Sequence, residues 1–310
     1  MITARFQLAP HQHGSIFILL ASILWGTTGA AATLVPEVSP LAIGAFSMGV
    51  GGVIQALLAN TALKKDASLL KRHRKDVVIG ALALMIYPMA FYTSMRMAGV
   101  ATGTVVSIAS ALLFTLLFEC LFSTNKNANI RKLFSLVLGI IGIVLLVNAE
   151  TTHSHSEPQL KLWGILLGLV AGLSYATYSI MAKELINKGV QSQAAMGAIF
   201  GLGACLLLPT LLASGDNLFA SQTNSLVLIY MAVIPMGVGY IMFGVGLRHI
   251  NASTANILTL FEPVVAAVIA VLILEEHIPA MGWFGIALIM VCLFFQSTHN
   301  EQSENRLIES

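Results

Sequence analysis

The chain has 310 residues, of which 57% are hydrophobic and only 10% charged, with a formal net charge of +2 and a mean hydropathy of +0.85. Soluble domains carry about 25% charged residues, so this composition excludes a water-soluble globular surface and makes lipid the solvent. The few basic residues lie between apolar runs, which argues against a nucleic-acid footprint, and three cysteines without a CxxC pair argue against a disulfide framework or a cysteine-based zinc site.

Crossing a bilayer as helix takes about 20 apolar residues. Segments of that kind are predicted at 14–34, 41–62, 76–95, 100–122, 132–149, 162–182, 195–213, 225–247, 252–274 and 280–297. The first resembles a signal peptide in its apolar run. It is read instead as an uncleaved span, because its charged region is weak and nine similar segments follow. Short joins such as VPEVSP (35–40) and EHIPA (276–280) make successive helices antiparallel neighbours. No segment alternates like a barrel strand. Cys120, Cys205 and Cys292 fall in or at the end of apolar runs and read as small packing residues.

Basic residues set the orientation. With the N-terminus inside, Arg5, Lys64, Lys65, Lys71, Arg72, Arg74, Lys75, Lys126, Arg131, Lys132, Lys183, Lys188, Arg248 and Arg306 are cytoplasmic, and only Arg96 and Lys161 are outside. Both termini are therefore expected in the cytoplasm. LKKDASLLKRHRK (63–75) reads as a topology anchor.

The chain also repeats itself. LLASILWGTTGAA (19–31) is similar to LVAGLSYATYSIM (169–181), with Trp25 on Tyr175 and Thr27 on Thr177. RMAGVATGTV (96–105) is similar to RHINASTANI (248–257), with Arg96 on Arg248. Residues 14–149 and 162–297 form two five-span repeats, joined by a polar linker at 150–161 and followed by a tail at 298–310. Five spans is an odd number, so the second repeat is expected upside down, an arrangement that puts a transport site near the midplane where the halves meet.

Two carboxylates lie inside apolar runs. Glu119 is about one turn from the inner end of its span and can snorkel toward Lys126 or Arg131. Glu262 in LTLFEPVVAAVIAVL (258–272) lies ~15 Å into its span. A charge at that depth costs roughly 2.5–3.5 kcal/mol on insertion scales. Pro263 withdraws a donor from the carbonyl of Thr259. Asn256, Thr259, Glu262 and Pro263 form one stripe, which suits a cavity wall and also suits polar contact between helices. Trp25, Tyr87, Tyr175, Tyr178 and Tyr240 sit too deep for an interfacial belt, and Ser107 and Ser110 share a face of the fourth span. These residues are the candidate substrate-binding set. Pro88 and Pro235 are expected to break the third and eighth spans, as Pro263 breaks the ninth. HQH (11–13) and HSHSE (153–157) lack further ligands, so neither metal nor cofactor is expected.

ILWGTTG in the first span, GLSYATYS in the sixth, LFEPVVAAVIAVLILEE in the ninth and GWFGIALIMVCLF in the tenth resemble the EamA-type transporters of the drug/metabolite transporter superfamily. The likeness covers about 14–297. It implies an all-α polytopic membrane protein of ten helices in two inverted five-helix repeats. Spans 1, 3, 4, 6, 8 and 9 would line a central cavity, with spans 5 and 10 to the side. It further implies a multi-pass protein of the bacterial inner membrane that exports amino acids or related metabolites by alternating access, with protons as a candidate coupling ion, as monomer or homodimer. The sequence departs from the family at Ser110–Ala111, the first-half counterpart of Glu262–Pro263, where many relatives have proline. Other readings are an intramembrane enzyme, disfavoured by the lack of HExxH or a second mid-membrane carboxylate, and a passive channel or non-transporting subunit.

Overall fold

The structure is a computed structural model that describes residues 10–122, 130–148, 158–246, 249, 258–259 and 261–291. Among these residues all regular structure is helical. The helices are α1 (Pro10–Gly26), α2 (Thr28–Thr33), α3 (Pro40–Leu58), α4 (Asn60–Lys65), α5 (Ala67–Arg72), α6 (Arg74–Ala98), α7 (Val100–Phe122), α8 (Ile130–Asn148), α9 (Pro158–Asn187), α10 (Ser192–Ser214), α11 (Gln222–Val233), α12 (Tyr240–Gly246), α13 (Phe261–Leu272) and α14 (Ala280–Val291), with a π-helical turn at Ile234–Gly239 between α11 and α12. Among the described residues six helical stretches are long and apolar enough to cross a bilayer: Gln12–Thr33, Pro40–Leu58, Arg74–Ala98, Gln159–Asn187, Ser192–Ser214 and Gln222–Gly246. Val100–Thr115, Phe261–Leu272 and Ala280–Val291 are shorter apolar helices. The basic anchor at 63–75 is largely helical, in the two short helices α4 and α5 and the start of α6. The predicted linker (but for its last residues), the tail, Asn256 and HSHSE lie outside the described residues, as do the side chains of Glu119, Cys120 and Cys292.

Local chemistry sets the helix ends. Ser39 caps α3 by accepting from the Ala42 amide at 3.1 Å, with Pro40 at the first helical position. Ser221 caps α11 in the same way through the Asn224 amide at 3.0 Å. Gly99, at φ +91°, adopts a left-handed conformation open to glycine and ends α6.

The core is built mainly from small residues, including Ala21, Ala42, Ala45, Ala81, Ala171, Ala176, Ala194, Ala195, Ala267 and Ala270. Many large apolar side chains point outward, among them Leu212 at 94% exposed and Leu57 at 69%. That inside-out pattern fits a lipid-facing surface, because association in lipid rests on close backbone approach rather than on hydrophobic burial. Cys205 follows the outward pattern and is exposed, contrary to its expected role in packing.

The packing has an exchange symmetry. In the first repeat, α6 and α7 both pack on α9, the first span of the second repeat. In the second repeat, the π turn, α12 and α13 pack on α1, the first span of the first repeat. α3 against α10 and α7 against α13 pair equivalent elements. Gly26 and Gly172 serve the two crossed contacts. A Cβ on Gly26 would stand 2.8 Å from Val265 and 2.9 Å from the Glu262 carbonyl oxygen, and one on Gly172 would stand 2.8 Å from the Ser107 carbonyl oxygen.

The three prolines differ. α6 runs unbroken through Pro88, so the expected break is absent there. Pro88 is buried, and the bare Gly44 lets α3 lie against its backbone, where a Cβ would stand 2.8 Å away. Pro263 lies within helical chain, since Leu258 and Thr259 before it are helical as well as α13 after it. Pro235 does disturb its helix, which widens into the π turn. Two side chains from the first repeat donate to its carbonyls: Trp25 Nε1 to Pro235 O at 2.9 Å and Gln55 Nε2 to Met236 O at 3.3 Å.

The packing makes three substitutions informative about stability. Gly26→Leu pushes α1 off α13 and should lower stability by about 1–3 kcal/mol, the usual cost of overpacking. Gly244→Ala should be near neutral, because among the described residues nothing lies within 4 Å of that Cβ position. Trp25→Phe keeps a ring but orphans the Pro235 carbonyl, at a cost of about 1–3 kcal/mol. Thermal unfolding of detergent-purified variants, monitored by size-exclusion chromatography, measures all three.

Candidate functional site

The helices enclose a cavity lined by Trp25, Thr28, Met48, Tyr87, Pro88, Phe91, Tyr92, Tyr175, Met236, Tyr240 and Glu262. Its empty space is about 440 Å³ including the part open to the outside, but only about 30 Å³ admits the centre of a water molecule. One water needs roughly 10–15 Å³ on that measure. The cavity therefore has room for about two or three waters, and a ligand of amino-acid size requires its walls to move apart.

Aromatic rings form most of the wall. Trp25 lies against Tyr240 with centroids 5.0 Å apart and planes at 51°. Tyr240 meets Phe200 edge-on at 5.2 Å, and Phe200 meets Tyr178 at 6.1 Å. Tyr178 packs on Tyr175 at 4.9 Å, Tyr175 on Tyr87 at 5.4 Å and 72°, and Tyr87 on Phe91 at 5.5 Å. The chain of rings thus joins both repeats without a gap. Tilted and edge-to-face pairs of this kind contribute ~0.5–1.5 kcal/mol each beyond burial, so the wall is ordered rather than fluid.

Glu262 enters this wall from α13 and is half-buried. Among the described residues no ion pair reaches it; those present join His73, Asp76, Glu184 and Lys188, far along the chain. Thr28 donates its hydroxyl to the Trp25 carbonyl at 2.7 Å and stands within hydrogen-bond reach of the Tyr92 hydroxyl.

Five residues expected in the site do line the cavity: Glu262, Trp25, Tyr87, Tyr175 and Tyr240, together with Pro88. Tyr178 stands behind Tyr175 as the second layer. Ser107 and Ser110 are buried but turned away. Ser107 Oγ donates to the Gly103 carbonyl at 2.7 Å and Ser110 Oγ to the Ser107 carbonyl at 3.2 Å, on the face that packs against Gly172 of α9. Span 4 therefore contributes no wall, and Met48 of span 2 takes a place instead. Thr259 and Pro263 are described but do not line the cavity, and Pro235 lies behind Trp25 as its acceptor. Thr28, Met48, Phe91, Tyr92 and Met236 are wall residues outside the expected set. Thr28 and Tyr92 were findable as polar neighbours of Trp25 and Phe91; the methionines carry no sequence signal that separates them from lipid-facing ones.

Both rims of the bundle are tied across the repeats. At one rim the Glu276 carboxylate accepts from the Val100 amide at 2.6 Å and the Ala101 amide at 3.0 Å, capping α7. Glu275, at φ +57°, turns the loop that delivers it. At the same rim, Ser39 Oγ donates to the Ser214 carbonyl at 3.0 Å. At the other rim Asp66 accepts from the Gln191 amide at 2.6 Å, and Lys188 Nζ donates to Asp76 at 2.8 Å. The Asp76 hydrogen bond holds the exposed Lys188 ammonium above its ordinary pKa.

Comparison with known proteins agrees with this architecture. The EamA-like transporter family matches residues 12–148 and again 162–298. The chain is 30% identical over 280 residues to an uncharacterized transporter, YwfM, of Bacillus subtilis, covering 90% of this chain and 92% of that protein. It is 26% identical over 205 residues to a probable amino-acid metabolite efflux pump of Salmonella typhimurium, covering 63% and 67%. A solved crystal structure shares the fold with a TM-score of 0.63 at 16% identity, covering 94% of this chain and 98% of that one. The chain is an integral membrane protein and belongs to the EamA-like transporter family.

Proposed function

We infer that the protein is a secondary transporter that moves small organic metabolites, amino acids or related compounds, across the bacterial inner membrane by alternating access, with export favoured. The observation that carries this is the aromatic cavity, walled by both repeats, narrow in this state and tied at both rims. Ten crossings in two inverted repeats, with both termini cytoplasmic, put Glu276 at the outer rim and Lys188 at the inner rim, in line with the distribution of basic residues. The efflux-pump name of a relative supports the amino-acid reading and the export direction.

In this reading Glu262 either couples protons to transport or hydrogen-bonds a substrate amine. Glu262→Gln in proteoliposomes should abolish pH-driven accumulation, and unchanged accumulation with unchanged pH dependence would remove the coupling role. Saturation and counterflow in the same vesicles separate a carrier from a channel.

The rims give a second test. Hydrogen bonds to a charged partner are worth about 1.5–3 kcal/mol each, so Glu276→Gln should shift the equilibrium toward the outward-open form by about tenfold. A Thr28→Cys reporter, with the three native cysteines replaced, should then react about tenfold faster with an impermeant thiol reagent added outside. An unchanged rate would mean that the Glu276 tie does not hold the outer rim.

A further inference from the structure

The ten apolar segments contain no arginine and no histidine, and their only lysine, Lys132, is the first residue of the fifth. A ligand carboxylate in the cavity would therefore find no basic side chain at membrane depth, and would lie beside the Glu262 carboxyl group. A ligand cation finds the opposite. Trp25 and Tyr240 stand at 51° and Tyr87 and Tyr175 at 72° around the lining, so the rings that bound the space lie in several different planes. A cation within about 6 Å of such faces gains ~0.5–2 kcal/mol when desolvated. The carboxylate of Glu262 completes the box, and a charge at that depth is itself stabilised by an opposite charge brought to it.

We propose that the cavity selects organic ammonium ions that lack a free carboxylate, namely amines and amino-acid derivatives whose acid group is masked. The assignment rests on the transport reading above and narrows it, because free amino acids are zwitterions that bring an unmatched anion. The Glu262 carboxylate and the faces of Trp25, Tyr87, Tyr175 and Tyr240 hold the ammonium head. The rest of the ligand lies where the walls part.

The test uses the purified full chain. Trp163 and Trp283 are exposed and outside the cavity wall, at 60% and 39%, so replacing both with Phe leaves Trp25 as the only indole. Trp25 fluorescence is then titrated with tetramethylammonium and with glycine, leucine and phenylalanine, each paired with its amide. Each amide, cationic but without the carboxylate, should bind about tenfold more tightly than its acid. Tetramethylammonium should bind as well, and Glu262→Gln should collapse the amide preference. Acids that bind as well as their amides, or an absence of binding by every cation, would overturn the assignment on the wild-type cavity alone, whether or not the Gln variant folds. Counterflow of tetramethylammonium in proteoliposomes separates the two claims. Binding without counterflow overturns the carrier reading and keeps the site; counterflow of leucine without leucinamide or tetramethylammonium overturns the ammonium assignment and keeps the carrier.

Discussion

The hydrogen bond from the Trp25 indole to the Pro235 carbonyl is the contact on which the cavity depends. Proline cannot donate, and around Pro235 the helix opens into a π turn whose carbonyls would otherwise face an apolar interior. Trp25 and Gln55 supply the missing donors from the other repeat. The same bond fixes the indole plane, and the indole orients Tyr240 and Phe243, which stand 5.0 and 5.6 Å from it. One backbone irregularity thus locates the wall of the site and joins it to the opposite repeat.

Helix placement was largely legible in the sequence, because apolar length is a strong signal. Each segment expected to span overlaps a helix, although only six stretches satisfy length and apolarity among the described residues. The direction in which an apolar side chain faces leaves no such trace. Met48 and Met236 face the cavity while Leu57 and Leu212 face outward, and nothing in their residue type tells them apart. Polar and aromatic residues at depth were the reliable markers, because lipid tolerates them poorly. Glu262, Trp25, Tyr87, Tyr175 and Tyr240 were found that way.

The misplaced residues share a physical cause. Ser107 and Ser110 satisfy their hydroxyls on carbonyls of their own helix, so a serine at depth need not face a cavity. Pro88 occupies an intact helix because a close neighbour, α3, packs on it through Gly44. In both cases the sequence gives the local chemistry, and the neighbour that decides its outcome comes from elsewhere in the chain.

The crossed packing of α1 and α9 has a consequence for how the molecule divides. The first span is bonded to the second repeat through Trp25, Thr27 and Ser22, which reach Pro235, Tyr230 and Leu258. α9 packs against both α6 and α7 of the first. The units that can move as solid bodies are therefore not the two tandem copies. Each copy lends its opening helix to the other, and a copy made alone would carry an unfilled slot and an unhoused helix. Two copies produced as separate chains would be complementary fragments, each completing the other only on assembly.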